Sequence, residues 1–306
     1  MLDKITLKVI DKIEISGDKL QNFCDVSQGY IPYRRSDLVK KYGNIEGNRI
    51  VDFRLWHSDK KIDESYLPEI FGKELDKFGV LSEKKAKSFI KYGKHLAGYI
   101  ELKYFNQQRI LVREITNAKI IATIIDELYV NDPQLISIIV KSSSVSYSFI
   151  WTILNSKLAT FYHFNHSPKA TKGAFPKILV KDIKEFPIVI PENIIPFEIL
   201  ADYLIFLNNK TQKEDLGTKI MISYFEQIVD GMVYELYFPE LLKNNNRDIL
   251  QYLQDIQPID NYSSDEKIKE IIDSEFKRLD DNKHPVKNNL FFMKNLEEIE
   301  IIENLK

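Results

Sequence analysis

Apolar and polar positions alternate through Ile5–Ile15 with several β-branched residues, and this pattern predicts a strand. Leu20–Val26 followed by Gly29 reads as a short element ending in a turn. Arg109–Thr116 is a β-branched run with a charge at each end, as in a buried strand. Lys119–Asp126, Leu128–Val130 and Gln134–Val140 are further strand candidates, with Asn131-Asp132-Pro133 as a turn. The period then changes. Phe149, Ile150, Ile153, Leu154, Leu158, Phe161 and Tyr162 share one helical face, so Tyr147–Phe164 is predicted helical. Ile178–Ile190 holds a helical turn and a returning strand, and prolines punctuate its exit. Beyond Pro196 the spacing is helical. Phe197–Asn209 and Thr218–Tyr237 make a hairpin around Gly217. Asp248–Ile256, Asp265–Leu279 and Phe291–Ile302 are shorter elements, the second capped by Ser263, Ser264 or Asp265. The fold class expected is α+β (mixed α/β): a front domain at 1–195, a helical hairpin at 196–243 and a helical C-terminal tail at 244–306.

Composition narrows the picture. A chain of 306 residues can build one large core or a large domain with a smaller one. One cysteine, Cys24, excludes a disulfide scaffold and a cysteine-based zinc site, and fits a reducing compartment. No apolar run approaches the roughly 18–20 residues that span a bilayer. The first residues alternate and carry acids, unlike a signal or transit peptide, so the cytoplasm is expected. The net charge of −2 hides a split. Residues 1–196 hold 30 Lys+Arg against 23 Asp+Glu, and residues 197–306 hold 13 against 22, so +7 and −9 sum to −2. A basic front suits nucleic acid and an acidic helical tail suits a protein partner, unless the charges merely solvate two faces.

Several chemistries are absent from the sequence. It has no G-x-G-x-x-G, no G-x-x-x-x-G-K-[ST], no H-E-x-x-H and no G-x-S-x-G. His163 and His166 lie three apart, which suits a helix C-terminus more readily than a metal shell with no third ligand nearby. A nuclease-like acid pattern at Asp76 and Glu83-Lys84-Lys85 is of the kind chance produces in a chain rich in Lys and Glu. No Pro-Pro pair occurs, so the [DNS]-P-P-[YFW] tetrapeptide of amino-methyltransferases is missing. No catalytic site and no metal site follows.

Two loops carry the candidate chemistry. From Lys157 to Lys177 there are four lysines and no acid. Lys169, Lys172 and Lys177 interleave with Ser167, Thr171, Gly173 and Phe175. Lysines neutralise phosphates, hydroxyls donate to phosphates or base edges, and Phe175 can pack on a base or plug into the core. The second loop is Gln28–Arg35, QGYIPYRR, in which Gly and Pro set a turn. Tyr30 and Tyr33 add planar surfaces there, and Arg34 and Arg35 add forked donors. Arg109 and Arg113 sit four apart on one strand face and are read as pairing structurally with Glu114, Asp126 or Glu127.

Residues 89–116, 120–139, 149–188 and 225–238 resemble the C-terminal specificity half of TaqI-like adenine methyltransferases, found in Type IIG restriction–modification enzymes and related phage-defence methyltransferases. LQNFCDVSQGYIPYRR (20–35) resembles the opening of a target-recognition domain, and residues 284–302 resemble the tail that closes such polypeptides. The order of loop glycine, strand, Pro-rich exit and helix at 165–213 is similar to Type I specificity subunits. The resemblance implies that 1–195 reads duplex DNA and that helices 197–238 dock on a methyltransferase or join two copies. It implies no cofactor in this chain, with S-adenosylmethionine held by the partner methyltransferase, which would flip out and methylate an adenine at N6. Carried onto this sequence, the DNA-reading loops match 28–35 and 165–177. Lys169, Lys172 and Lys177 would contact phosphate. Tyr30, Tyr33, Arg34, Arg35, Ser167, Thr171 and Phe175 would read or stack on bases. The rival reading is an adaptor or inhibitor that keeps the recognition fold and binds a methyltransferase without reading DNA. Residues 36–88 have no assigned role and are either a partly helical insertion or a third DNA-facing edge.

Overall fold

The computed structural model describes residues 3–80, 88–116, 119–167, 176–210, 215–260 and 262–304. The fold class is α+β, as expected. The chain opens with a helix, α1 (Lys4–Ile15), where a strand was expected. The buried positions Thr6, Val9, Ile10 and Ile13 recur at helical spacing, and the Asp3 carboxylate caps the N–H groups of Ile5 and Thr6 at 2.9 and 2.8 Å. Val, Ile and Thr mimic strand alternation here, but the one-sided burial requires a helix.

The strands that follow are β1 (Asp18–Lys19), β2 (Cys24–Gln28), β3 (His57–Ser58), β4 (Tyr66–Ile70), β5 (Leu75–Asp76), β6 (Gly79–Val80), β7 (Phe89–Lys91), β8 (Arg109–Arg113), β9 (Ala122–Ile125), β10 (Val130–Asn131), β11 (Leu135–Val140) and β12 (Pro187–Ile188). The main sheet is antiparallel in the order β2-β11-β8-β9. Its central strands are covered on both faces, which explains their continuous apolar runs. Ile110, Val112, Ile136 and Ile138 face the large core. Leu111 and Leu135 face a second cluster with Ile70, Leu75, Ile125 and Tyr129. A second sheet, β10-β4-β7-β3, is mixed, with β10 parallel to β4. It carries a small core of Tyr30, Ile90, Leu96, Phe105 and Val130. Between β2 and β3 lies a helical pair, α2 (Arg35–Tyr42) and α3 (Asn44–Asp52), in the stretch that had no reading.

The helix predicted over Tyr147–Phe164 is two helices, α4 (Tyr147–Leu154) and α5 (Lys157–His166). Ser156 caps α5 by accepting from the Ala159 N–H at 3.1 Å. The Asn155 side chain accepts from the Ala122 N–H at 3.1 Å and donates to its carbonyl at 2.9 Å, satisfying main chain on the edge strand β9. After α6 (Val180–Glu185), β12 returns beside β1. The helical layer is α7 (Ile195–Lys210), α8 (Leu216–Tyr237), α9 (Pro239–Asn244), α10 (Asp265–Leu279), α11 (Pro285–Met293) and α12 (Glu297–Glu303). Helix α7 packs on α4 and α8, α8 on α5 and α11, and α12 returns to α1 and α5. One hydrophobic core therefore runs from Val9 to Ile302, across the boundaries placed at 195 and 243. No described helix is long and apolar enough to cross a membrane.

Candidate nucleic-acid interface

Strand register brings the two candidate loops to the same end of the main sheet. Gln28, the last residue of β2, pairs with Ile136 near the start of β11, and Leu135 pairs with Arg113, the last residue of β8. Loop 28–35 leaves β2 at that end. At the same end, Ile115 bridges to Lys177 and Ile178 N–H donates to the Glu114 carbonyl at 2.9 Å. The segment 176–178 runs beside Glu114–Thr116, just past the end of β8, where Thr116 N–H also donates to the Pro176 carbonyl at 3.0 Å. Residues 168–175, with Lys169, Thr171, Lys172 and Phe175, lie outside the described residues, as do Glu83, Lys84 and Lys85.

The first loop is held from below. Tyr30 is fully buried, and its hydroxyl donates to the Glu69 carboxylate. Its ring is therefore part of the small core and offers no face to a base, a correction to the stacking role expected of it. Glu69 is itself buried and also accepts from Ser88 Oγ at 2.5 Å, with His57 Nε2 at 3.2 Å. Burial acts to raise the Glu69 carboxyl, but the bonds from His57, Ser88 and Tyr30 outweigh it and hold its pKa below the ordinary value. Tyr33 is half-buried, stacked on Trp56 with centroids 5.3 Å apart and planes 13° from parallel. Its hydroxyl accepts the Trp56 N–H at 3.0 Å and lies 2.8 Å from His57 Nδ1. The Glu69 carboxylate can only accept, so Nε2 carries a proton that faces it. Burial pushes the Tyr33 hydroxyl up to about 12. This Tyr33–His57–Glu69–Tyr30 chain locks the loop to the second sheet. Sequence reading missed Glu69 because no local pattern marks a partner 39 residues from Tyr30.

Arg34 and Arg35 are exposed and paired. Arg34 holds Asp37 at 2.9 Å, while Arg35 holds Asn48 and Asp52, each at 2.6 Å. Both pairs sit in water, where such contacts contribute little, so phosphate can compete for the guanidinium groups. In the second loop Ser167 is buried, and its hydroxyl donates to Asp182 Oδ2 at 3.0 Å. That oxygen also accepts the Leu179 N–H at 2.9 Å. Ser167 therefore anchors the loop's base, and the direct base contact expected of it is corrected. Lys177 is partly exposed and lies 3.2 Å from Glu114.

Arg109 is structural, though not by the carboxylate pairing expected. It is fully buried and donates to the carbonyls of Gln107, Glu127 and Tyr129 at 3.0, 3.1 and 2.8 Å. Burial lowers its pKa to about 10, against the nearby Asp126 and Glu127 charges. Among the described residues His163 is buried without a hydrogen-bond partner, and His166 stacks on Tyr162. Among the described residues no group of three or more His, Cys, Asp or Glu is placed to hold a metal.

Residues 67–188 match the family model of the TaqI-like C-terminal specificity domain. The resemblance read from the sequence is borne out over that span, which takes in the second sheet from β4 onward, most of the main sheet and α4–α6. Loop 28–35 and the helical layer fall outside it. The chain is also similar to a protein of Methanocaldococcus jannaschii named "Putative type II restriction enzyme and methyltransferase", with 28% identity over 238 residues. That match covers 76% of this chain and 19% of the relative, so the chain spans about a fifth of the length of the protein it matches.

Proposed function

We propose that this chain supplies DNA sequence recognition to a restriction–modification system. In this reading residues 1–195 read duplex DNA, and the reaction is carried out by an adenine-N6 methyltransferase domain or subunit that holds S-adenosylmethionine. A cytoplasmic setting and a role in phage defence of the Type IIG kind belong to the same proposal. The observation that carries it is the exit of loops 28–35 and 165–177 at one end of the main sheet, inside and beside the segment that matches a specificity domain. Lys169, Lys172 and Lys177 then neutralise phosphate, and Arg34 and Arg35 exchange their surface carboxylates for DNA. Tyr33, Thr171 and Phe175 are the remaining candidates for contact with bases. Tyr30 and Ser167 hold the two loops in place.

The test is fluorescence anisotropy on a random-sequence duplex at about 50 and 200 mM salt. Six or more phosphate contacts predict a fall in affinity on the order of a thousandfold over that range. Lys169→Glu with Lys172→Glu should flatten the log–log slope by about two, since each phosphate contact contributes about 0.9. An unchanged slope rejects the loop assignment. No binding at low salt, together with co-purification of a methyltransferase, favours the adaptor reading.

A further inference from the structure

The turn after α3, Phe53-Arg54-Leu55, lies in the stretch that sequence reading left unassigned. It closes α3 with a double hydrogen bond in which Arg54 N–H donates to Val51 O and Leu55 N–H to Ile50 O, both at 3.3 Å. This is the Schellman pattern, whose first residue beyond the helix takes a left-handed backbone and is usually glycine. Arg54 occupies that position with φ of 47°, a conformation unfavourable to a residue with a Cβ. Among the described residues its guanidinium makes no hydrogen bond or ion pair, whereas the neighbouring Arg34, Arg35 and Arg49 each hold a carboxylate. Arg54 instead lies over the Tyr33 ring, 5.9 Å from its centroid, with Trp56 stacked on the same ring. Its stem is thus ordered while its fork of donors stays open to solvent.

The flanks of Arg54 are also unusual. Phe53 is 73% exposed and Leu55 39%. An exposed cation between two exposed apolar side chains at a rigid turn suits a duplex groove, where the cation meets oxygen acceptors and the apolar groups meet sugars or base faces. The turn adjoins loop 28–35 through Tyr33. Lys41 lies nearby, held 3.1 Å from the Lys94 carbonyl, and Lys94 itself is exposed.

We infer that Phe53-Arg54-Leu55 is a third DNA contact, in which the Arg54 fork donates to oxygen acceptors of the duplex and Phe53 packs against the sugar or base beside them. The inference rests on the DNA-recognition reading above. The acceptors are phosphate oxygens or a guanine edge, and the experiment separates the two. Arg54→Gly removes the guanidinium and suits the left-handed backbone, so the variant should melt no lower than wild type. Its affinity for a random-sequence duplex at about 50 mM salt should fall about tenfold, and Phe53→Ser should weaken binding in the same direction. If Arg54 meets phosphate, the salt slope of Arg54→Gly falls by about one, and Arg54→Lys retains most of the affinity. If it reads a base, the slope holds, but sites selected from a random duplex library lose preference at one position, and Arg54→Lys does not restore it. Unchanged affinity, slope and selected sequence in Arg54→Gly, with wild type binding DNA, overturns this inference and leaves the recognition reading standing. Loss of methyltransferase co-purification with DNA binding intact assigns the turn to a protein partner and overturns it too. A wild-type chain that does not bind DNA at low salt overturns both.

Discussion

His163 sits on the last turn of α5, only 3% exposed, with neither ring nitrogen hydrogen-bonded among the described residues. Burial drives its pKa down to about 4 against the opposing pull of Asp182, so the folded protein holds it neutral. Its ordinary value is 6.5. Below that pH the unfolded chain takes up a proton that the folded chain refuses. The stability is therefore fully present above pH 6.5 and is lost as pH falls towards 4, by an amount on the order of 3 kcal/mol. His163→Phe removes the titration together with two unsatisfied buried nitrogens, whose burial costs about 1–3 kcal/mol. Urea unfolding of the variant should show equal or greater stability at neutral pH and a flatter loss on the acid side. A variant that keeps the wild-type acid slope assigns that slope to other groups. The pair His163/His166 shows what spacing alone leaves undecided: the interval places both residues near one helix end, but the burial of His163 depends on Ile178, Asp182 and Phe186 in and around α6, while His166 stacks on Tyr162 one turn back in its own helix.

At the scale of elements, legibility followed how local the deciding contact was. Strands β8 and β11 were plain in the sequence because both faces are buried, so their apolar runs are uninterrupted. Helix α10 was found to its ends, with Ser264 accepting the Lys267 N–H at 3.3 Å. Helix α1 was misread because β-branched residues populate both the buried and the exposed positions of its helical pattern. The break at Asn155 was missed because its cause is the edge strand β9, more than thirty residues away. In the candidate site, Gly and Pro announced loop 28–35, but nothing nearby revealed that Tyr30 points inward to Glu69 or that Arg54 caps α3. Gly29 does have a legible role, with a sharper reason than turn formation. A Cβ there would fall well inside contact distance of the Asn131 and Asp132 carbonyls, which are backbone and cannot swing aside. Tyr30 N–H donates to that same Asn131 carbonyl at 3.0 Å, so the approach fixes where the loop leaves β2. Gly29→Ala should therefore cost at least about 2 kcal/mol, beyond any gain from a less flexible unfolded chain. Thermal unfolding measures the loss. An alanine variant as stable as wild type refutes the close approach.

At the scale of the whole molecule, the opposed charges of the two parts meet inside it. Lys77 pairs with Glu226 at 3.0 Å, and Lys157 reaches Glu303 at 2.5 Å and Asp230 at 4.0 Å. Each pair joins the basic front to the acidic helical layer, so part of the charge asymmetry that suggested separate partners is neutralised between the two parts. The apolar packing follows the same path. Phe149 of α4 meets Phe197 of α7 edge-on at 5.3 Å, and the Tyr237 hydroxyl of α8 donates to the Pro187 carbonyl of β12 at 2.6 Å. A chain ending at residue 195 would expose the faces of α4 and α5 that α7 and α8 cover, including Phe149, Ile153 and Leu158. At about 1.5–3 kcal/mol per buried apolar side chain, uncovering these three removes roughly 5–9 kcal/mol, which is comparable with the 5–15 kcal/mol by which ordinary domains are stable. Residues 1–195 expressed alone should therefore lack a cooperative urea transition and bind a hydrophobic dye. The full chain should unfold in a single step seen from both Trp56, packed against the small core of the second sheet, and Trp151, in the large core. A truncated chain with a sharp transition of its own would make the front part an independent domain and leave the helical layer free to serve as a detachable docking module.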